Sequence, residues 1–150
     1  MPTHHKGSKK EKETLNTFIK MTRASESINH RLSRSLACEN LTISQFGIIE
    51  ALYHLGPQSQ RELGAKILKT GGNITLVVDN LEKRNLVSKS KNPNDGRAVI
   101  ITLTNEGQKF IEKYFPEHLN RIVEEFSVLT SEELTELGRL CKKVGIKENN

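Results

Sequence analysis

Residues 71–103 read GGNITLVVDNLEKRNLVSKSKNPNDGRAVIITL, and the fold turns on whether the β-branched run near its start is a strand or a helix. Taken alone, Ile74-Thr75-Leu76-Val77-Val78 favours a strand. Its neighbours decide for a helix. Ile74, Val77, Val78 and Leu81 fall on one helical stripe, Gly71-Gly72-Asn73 supplies a turn and a start, and Asp79 to Arg84 is polar and helix-compatible. The reading is a helix that ends near Asn85, faces its stripe inward and presents Gly72, Asn73, Thr75, Leu76, Asp79 and Asn80 outward. Two short strands follow, Leu86 to Ser90 and Arg97 to Leu103; the second alternates Val99, Ile101 and Leu103 against Ala98, Ile100 and Thr102. Asn92-Pro93-Asn94-Asp95-Gly96 between them is a dense turn signal, so the pair forms a hairpin with Lys89, Lys91 and Arg97 at its tip and flanks.

Upstream, Leu15, Phe18, Ile19, Met21, Ile28, Leu32 and Leu36 mostly recur at three- and four-residue steps, which predicts a long amphipathic helix over 12–36. Thr42 caps a second helix carrying Phe46, Ile49, Ala51, Leu52 and Leu55, and Gly56-Pro57 stops it. Ser59-Gln60-Arg61-Glu62 has the spacing of a capping box and opens a short third helix with Leu63, Ile67 and Leu68. Downstream, Thr104 caps a fifth helix that runs past Phe110, Ile111, Tyr114 and Phe115, can kink at Pro116 and continues to Phe126. Thr130-Ser131-Glu132-Glu133 opens a last helix with Leu134, Leu137, Leu140, Cys141 and Val144. The ends, 1 to about 10 and 146–150, read as disordered tails.

Length and charge narrow the function. The 150 residues suit one domain; 35% are apolar, below the ~45–50% (glycine included) of typical domains. Burying a face against a second copy would compensate. The net charge of +5 is uneven: residues 60–103 carry eight basic and four acidic side chains, whereas 104–150 carry seven and nine. A basic segment beside a mildly acidic one fits a polyanion-binding module joined to an element with another task, although a merely solvated face has the same composition. No apolar run approaches the roughly 18 residues of a membrane span, no signal peptide opens the chain, and Cys38 and Cys141 form no CxxC pair, so the expectation is a cytoplasmic protein without disulfides or cysteine-bound zinc. His30, His54 and His118 are scattered and read as surface or partly buried imidazoles, and His4-His5 as an adventitious metal binder, so neither a metal nor a cofactor is expected. GxSxG, HExxH, P-loop and GxGxxG patterns are lacking, and Glu132-Glu133 suits a helix start, so an enzyme is not expected.

Helix, helix, short helix, turn, helix and basic hairpin is the winged helix-turn-helix order: mainly α, with a small β-hairpin wing. The second helix of such a motif enters the major groove with its early residues near base edges. Candidate DNA contacts are therefore Gly72, Asn73, Thr75, Leu76 and Asn80, together with Lys89, Lys91 and Arg97 on the hairpin; Arg97 suits a narrow minor groove.

Asp95-Gly96-Arg97 followed by Leu103-Thr104-Asn105-Glu106-Gly107 resembles the Asp-x-Arg, Leu-Thr-x-x-Gly signature of the MarR (multiple antibiotic resistance regulator) family. Leu81-Glu82-Lys83-Arg84-Asn85-Leu86-Val87 resembles that family's Leu-Glu-x-x-Gly-Leu-Val junction, with Asn85 for the common glycine, a mild departure because Asn tolerates the left-handed region. The resemblance spans about residues 12–145. It implies a single MarR-like domain, with dimerisation helices at 12–36 and 108–145 and a DNA-binding lobe at 42–103. It further implies a homodimer on a pseudo-palindromic operator of double-stranded DNA, usually a repressor, with Arg97 in the minor groove and Asp95 orienting it. Some members sense oxidants through a cysteine, for which Cys38 is the candidate; others respond to small aromatic or phenolic anions, for which Met21, Ile28, Phe46 and Ile49 could line a pocket. The residues alone also fit plainer roles: polar hairpin positions, helix starts, core packing, a small apolar cysteine. A winged-helix protein-interaction module without DNA binding and a sequence-independent architectural binder both stay open at this point.

Overall fold

Each helix begins where a short polar side chain can take up amide protons that the first turn leaves unbonded. The computed structural model describes residues 4–67 and 73–146. Helix α1 (Lys9–Cys38) opens on Ser8, whose Oγ accepts from the Glu11 amide at 3.2 Å while Glu11 Oε2 accepts from the Ser8 amide at 2.6 Å. These bonds from Ser8 hold the Glu11 carboxyl below its ordinary pKa. The same reciprocal box opens α2 (Ile43–Leu55) at Thr42 and Gln45, and α3 (Gln60–Lys66) at Ser59 and Glu62. It opens α6 (Ser131–Gly145) at Thr130 and Glu133. The Ser8 box lies in the stretch expected to be a disordered tail, so α1 starts at Lys9 and not at Lys12.

Helix α4 (Ile74–Lys83) confirms the helical reading of the β-branched run, with Asn73 Oδ1 accepting from the Thr75 amide at 3.0 Å. Helix α5 (Asn105–Glu125) contains Pro116. Strands β1 (Gln58–Ser59), β2 (Val87–Asn92) and β3 (Asp95–Leu103) form an antiparallel sheet of order β1-β3-β2. The short β1, which pairs Gln58 with Ile101 and Ser59 with Ile100, was not expected, because Gly56-Pro57 signals only a helix stop. Gly56 indeed ends α2 at φ +74°.

The chain falls into two compact units that meet in sequence between Tyr114 and Phe115. In the first, Leu36, Phe46, Ile48, Ile49, Leu52, Leu63, Val78, Leu81, Val87, Ile101 and Ile111 are buried. Tyr114 sets its ring edge-on to Phe46, stacks on Phe110 and shares a 2.8 Å hydrogen bond with Ser35 Oγ. The second unit includes α6, none of whose side chains is buried. His118, read as a surface or partly buried imidazole, is buried; burial first, and Arg121 second, lower its pKa.

The end of α4, the base of the hairpin and the start of α5 meet at one junction. Asn85 adopts φ +58°, the left-handed region expected of it, and turns the chain so that the Leu86 amide returns to the Leu81 carbonyl at 3.0 Å. The Leu86 carbonyl then accepts from the Thr104 amide at 3.1 Å. The Thr104 hydroxyl donates to the Asn85 carbonyl at 2.5 Å and accepts from the Gly107 amide at 3.0 Å. A Cβ on Gly107 would lie 2.0 Å from the Leu86 carbonyl oxygen, so only glycine lets the two backbones approach. Gly107→Ala is expected to cost at least about 1–3 kcal/mol of unfolding free energy, the usual range for overpacking. Asn85→Ala should cost about 1–2 kcal/mol, because it puts an ordinary side chain in the left-handed region, whereas Asn85→Gly should be neutral or stabilising. Chemical denaturation of the three variants, read by circular dichroism, checks this.

Candidate nucleic-acid interface

The faces of α4 are set by its period of 3.6 residues. Val78 and Leu81 are buried, and Ile74 and Val77 half-buried, on the stripe that faces the core. One flank, Thr75, Asp79 and Glu82, is tied to neighbouring elements. Thr75 Oγ1 accepts a 2.8 Å hydrogen bond from Gln60 Nε2 at the start of α3. Asp79 Oδ1 accepts from the Lys89 ammonium of β2, and Glu82 Oε1 lies 3.7 Å from the same nitrogen. The opposite side carries Asn73 and Leu76, the latter 57% exposed, with half-buried Asn80 one turn on. Asp79 was expected to point outward; the structure turns it to the wing. Gly72 lies outside the described residues.

At the hairpin the two strands pair regularly from Val87↔Leu103 to Lys91↔Val99, and the next pair is Asn92↔Asp95. Gly96, Arg97 and Ala98 are therefore an insertion in β3 without partners in this ladder, and Arg97 sits in the middle of it, exposed. Such irregularities bend a strand and re-aim its side chains. Two side chains hold the tip. Asn92 Oδ1 accepts from the Asn94 amide at 3.0 Å, and Asp95 Oδ1 accepts from the Arg97 amide at 3.1 Å. The bond from Asp95, the acid expected to orient Arg97, is to the main-chain amide of that residue.

Lys91 is exposed, as a phosphate contact requires, whereas Lys89 is half-buried and engaged by two carboxylates. Its hydrogen bond to Asp79 is the main cause that raises the Lys89 pKa, so the ammonium stays charged throughout the physiological range. Lys89 is in the wing, as expected, but is not presented as a DNA contact.

Between the start of α3, Ile74 and the tip of β3 is a groove of about 600 Å³ lined by Gln60, Arg61, Asp95, Arg97 and Val99 among others. Gln60 and Arg61 were not among the sequence candidates, because the Ser59–Glu62 stretch was read only as a cap. The groove adds a second arginine beside Arg97.

The four residues considered for an aromatic-ligand pocket differ in burial. Phe46 and Ile49 are closed core, Ile28 is half-buried and Met21 is 42% exposed. Cys38 is exposed at the end of α1 with Sγ 3.6 Å from the Arg34 carbonyl, and Cys141 is exposed on α6. Among the described residues no group of His, Cys, Asp and Glu could hold a metal ion, and no helix is long and apolar enough to cross a membrane.

The profile of the MarR family matches residues 41–99, from just before α2 into β3. The HTH-type transcriptional regulator MhqR of Bacillus subtilis (strain 168) is 35% identical over 134 residues, 89% of this chain and 92% of its own length. The chain belongs to the MarR family. Members of this family are transcriptional regulators that bind DNA, not enzymes, and this MarR protein is one of them. Its fold is that of solved MarR structures. Sco3205 of Streptomyces coelicolor, solved in complex with DNA, superimposes with a TM-score of 0.82 at 21% identity, covering 97% of this chain and 94% of that one. BpsR of Bordetella bronchiseptica, whose DNA binding is regulated by 6-hydroxynicotinic acid, gives 0.78 at 23% identity, covering 87% and 99%.

If Lys91 meets a phosphate, Lys91→Ala should weaken this MarR protein's binding about equally on all duplexes and lower the slope of log affinity against log salt by about 1. Fluorescence anisotropy titrations at several salt concentrations measure both.

Proposed function

We propose that this MarR protein is a cytoplasmic homodimeric repressor that binds a pseudo-palindromic operator and is released by a small phenolic or aromatic ligand. The observation that carries the DNA-reading part is the pairing, in one lobe, of a helix whose Asn73–Leu76 side is open with a wing whose Arg97 stands in a strand irregularity at its tip. Asn73, Thr75, Leu76 and Asn80 read base edges in the major groove, while Arg97 enters the minor groove beside it, with Gln60 and Arg61 near the backbone. The basic charge of residues 60–103 supports this assignment.

Exposed apolar side chains support the dimer. Leu134, Leu137, Leu140 and Val144 form one stripe along α6 and are 40–58% exposed in the single chain. In α1, Phe18 and Met21 stand three residues apart, 57% and 42% exposed; Leu119 and Val123 of α5 repeat the pattern at four. A two-fold dimer sets half-sites about 10 bp apart, or a multiple of that. The ligand acts by favouring a lobe separation that cannot span adjacent grooves; the likeness to BpsR supports a ligand, and no pocket residue is assigned. The exposure of Cys38 favours a second release signal, thiol oxidation.

Anisotropy on duplex DNA from upstream of the gene, beside a shuffled duplex, is expected to show specific, salt-sensitive binding that Arg97→Ala weakens about tenfold or more. Equal binding to both duplexes would mean an architectural binder, and binding to neither at low salt a protein-interaction module. Leu137→Glu should convert a dimer to a monomer in sedimentation velocity and abolish operator binding. Cys38→Ser should leave DNA affinity intact; persistence of peroxide-induced release in that variant would exclude the thiol.

A further inference from the structure

Strand β2 carries two lysines that the period of two puts on the same face, yet only one of them is open to water. Val87 is 1% exposed, Ser88 and Ser90 are exposed on the other face, and Lys89 follows Val87 inward against α4. There its ammonium meets Asp79 and Glu82, which are three residues apart on one flank of the helix. Across the ladder Lys89 lies opposite Ile101, which is fully buried. The cluster of one ammonium and two carboxylates keeps a net charge of −1, so a phosphate is not the partner its surroundings select. Lys91, one step toward the tip, has left the helix behind and is exposed.

We infer that Lys89 is a positioning residue: it fixes the wing to the flank of the recognition helix and so sets the distance between the base-reading side of α4 and Arg97. The inference rests on the DNA-reading role of both elements. Gln60 ties the start of the same flank to α3, and Lys89 ties its middle and end to β2. A half-exposed ion pair adds little to stability. Its effect is geometric: a protein that must place a helix in one groove and an arginine in the next gains specificity from a fixed distance between them. Charge alone predicts the opposite sign for one partner, since removing the Asp79 carboxylate takes a negative charge away from the DNA-facing lobe.

The test compares the full-length protein with Lys89→Met, Lys89→Arg, Asp79→Asn, the Lys89→Met/Asp79→Asn double variant and Lys91→Met as reference. Anisotropy on upstream and shuffled duplexes across salt is the first readout. Hydrogen exchange of the β2 amides without DNA is the second. Lys89→Met and Asp79→Asn should each weaken binding to the upstream duplex by about threefold to tenfold, the double variant no more than either single one. Binding to the shuffled duplex should not weaken, the salt slope should be unchanged, and Lys89→Arg should restore specific binding. Lys91→Met should instead lower the slope by about one on both duplexes. In the free protein, Lys89→Met should speed exchange over Val87–Asn92. A slope that falls by about one in Lys89→Met would make Lys89 a phosphate contact, and tighter upstream binding by Asp79→Asn would make the acid a mere repulsive charge; either overturns the inference. If the unaltered protein does not distinguish the duplexes, the DNA-reading proposal fails on its own, and unchanged β2 exchange then overturns the tie itself.

Discussion

The contact between the Leu86 carbonyl and the start of α5 is the constraint on which the DNA-binding lobe depends. Helix α4, the hairpin and α5 all leave from it: α4 ends two residues before Asn85, β2 begins at Val87, and β3 ends at Leu103 just ahead of Thr104. One carbonyl accepting one amide at 3.1 Å, a threonine hydroxyl bonded on both sides and a glycine without the Cβ that would strike that carbonyl fix three directions at a single point. Two stretches that carry the resemblance to MarR proteins, Leu81–Val87 and Leu103–Gly107, separate in sequence, are the two halves of this junction.

From there the lobe is built by ties along one flank of α4 and at its C-terminal end. Gln60 holds Thr75, Lys89 holds Asp79 and Glu82, and Arg84, at the helix end, donates to the carbonyls of Asn40 and Glu39 at 2.6 and 3.1 Å. The last tie satisfies backbone acceptors just past α1 with a guanidinium, the side chain best suited to bridge two carbonyls. Helix α4 is thus oriented by three polar side chains as well as by Val78 and Leu81 beneath it.

Much of this was legible in the sequence because period and capping are local. The helical stripe through Ile74, Val78 and Leu81 overrode β-propensity, the left-handed turn at Asn85 followed from its residue type, and the turn-rich Asn92–Gly96 stretch gave the hairpin. What escaped was long-range or two-sided. Strand β1 is two residues that exist only because β3 lies beside them. Lys89 and Lys91 are alike in sequence, and only the burial of Val87 on their shared face tells which lysine meets the helix. Phe46 and Ile49 looked as fit for a ligand wall as for a core, because apolar character does not distinguish a closed interior from a cavity.

The exposure of α6 bears on how much of this protein a cell must hold. A 15-residue helix with every side chain exposed is marginal by itself, and covering Leu134, Leu137, Leu140 and Val144 would stabilise it. If a second copy covers them, the integrity of this segment follows the law of mass action: dilute chains expose a frayed terminus to proteases, while abundant ones protect one another. The amount of regulator then stabilises itself against turnover above a threshold, so that a drop in synthesis would clear it faster than dilution by growth alone.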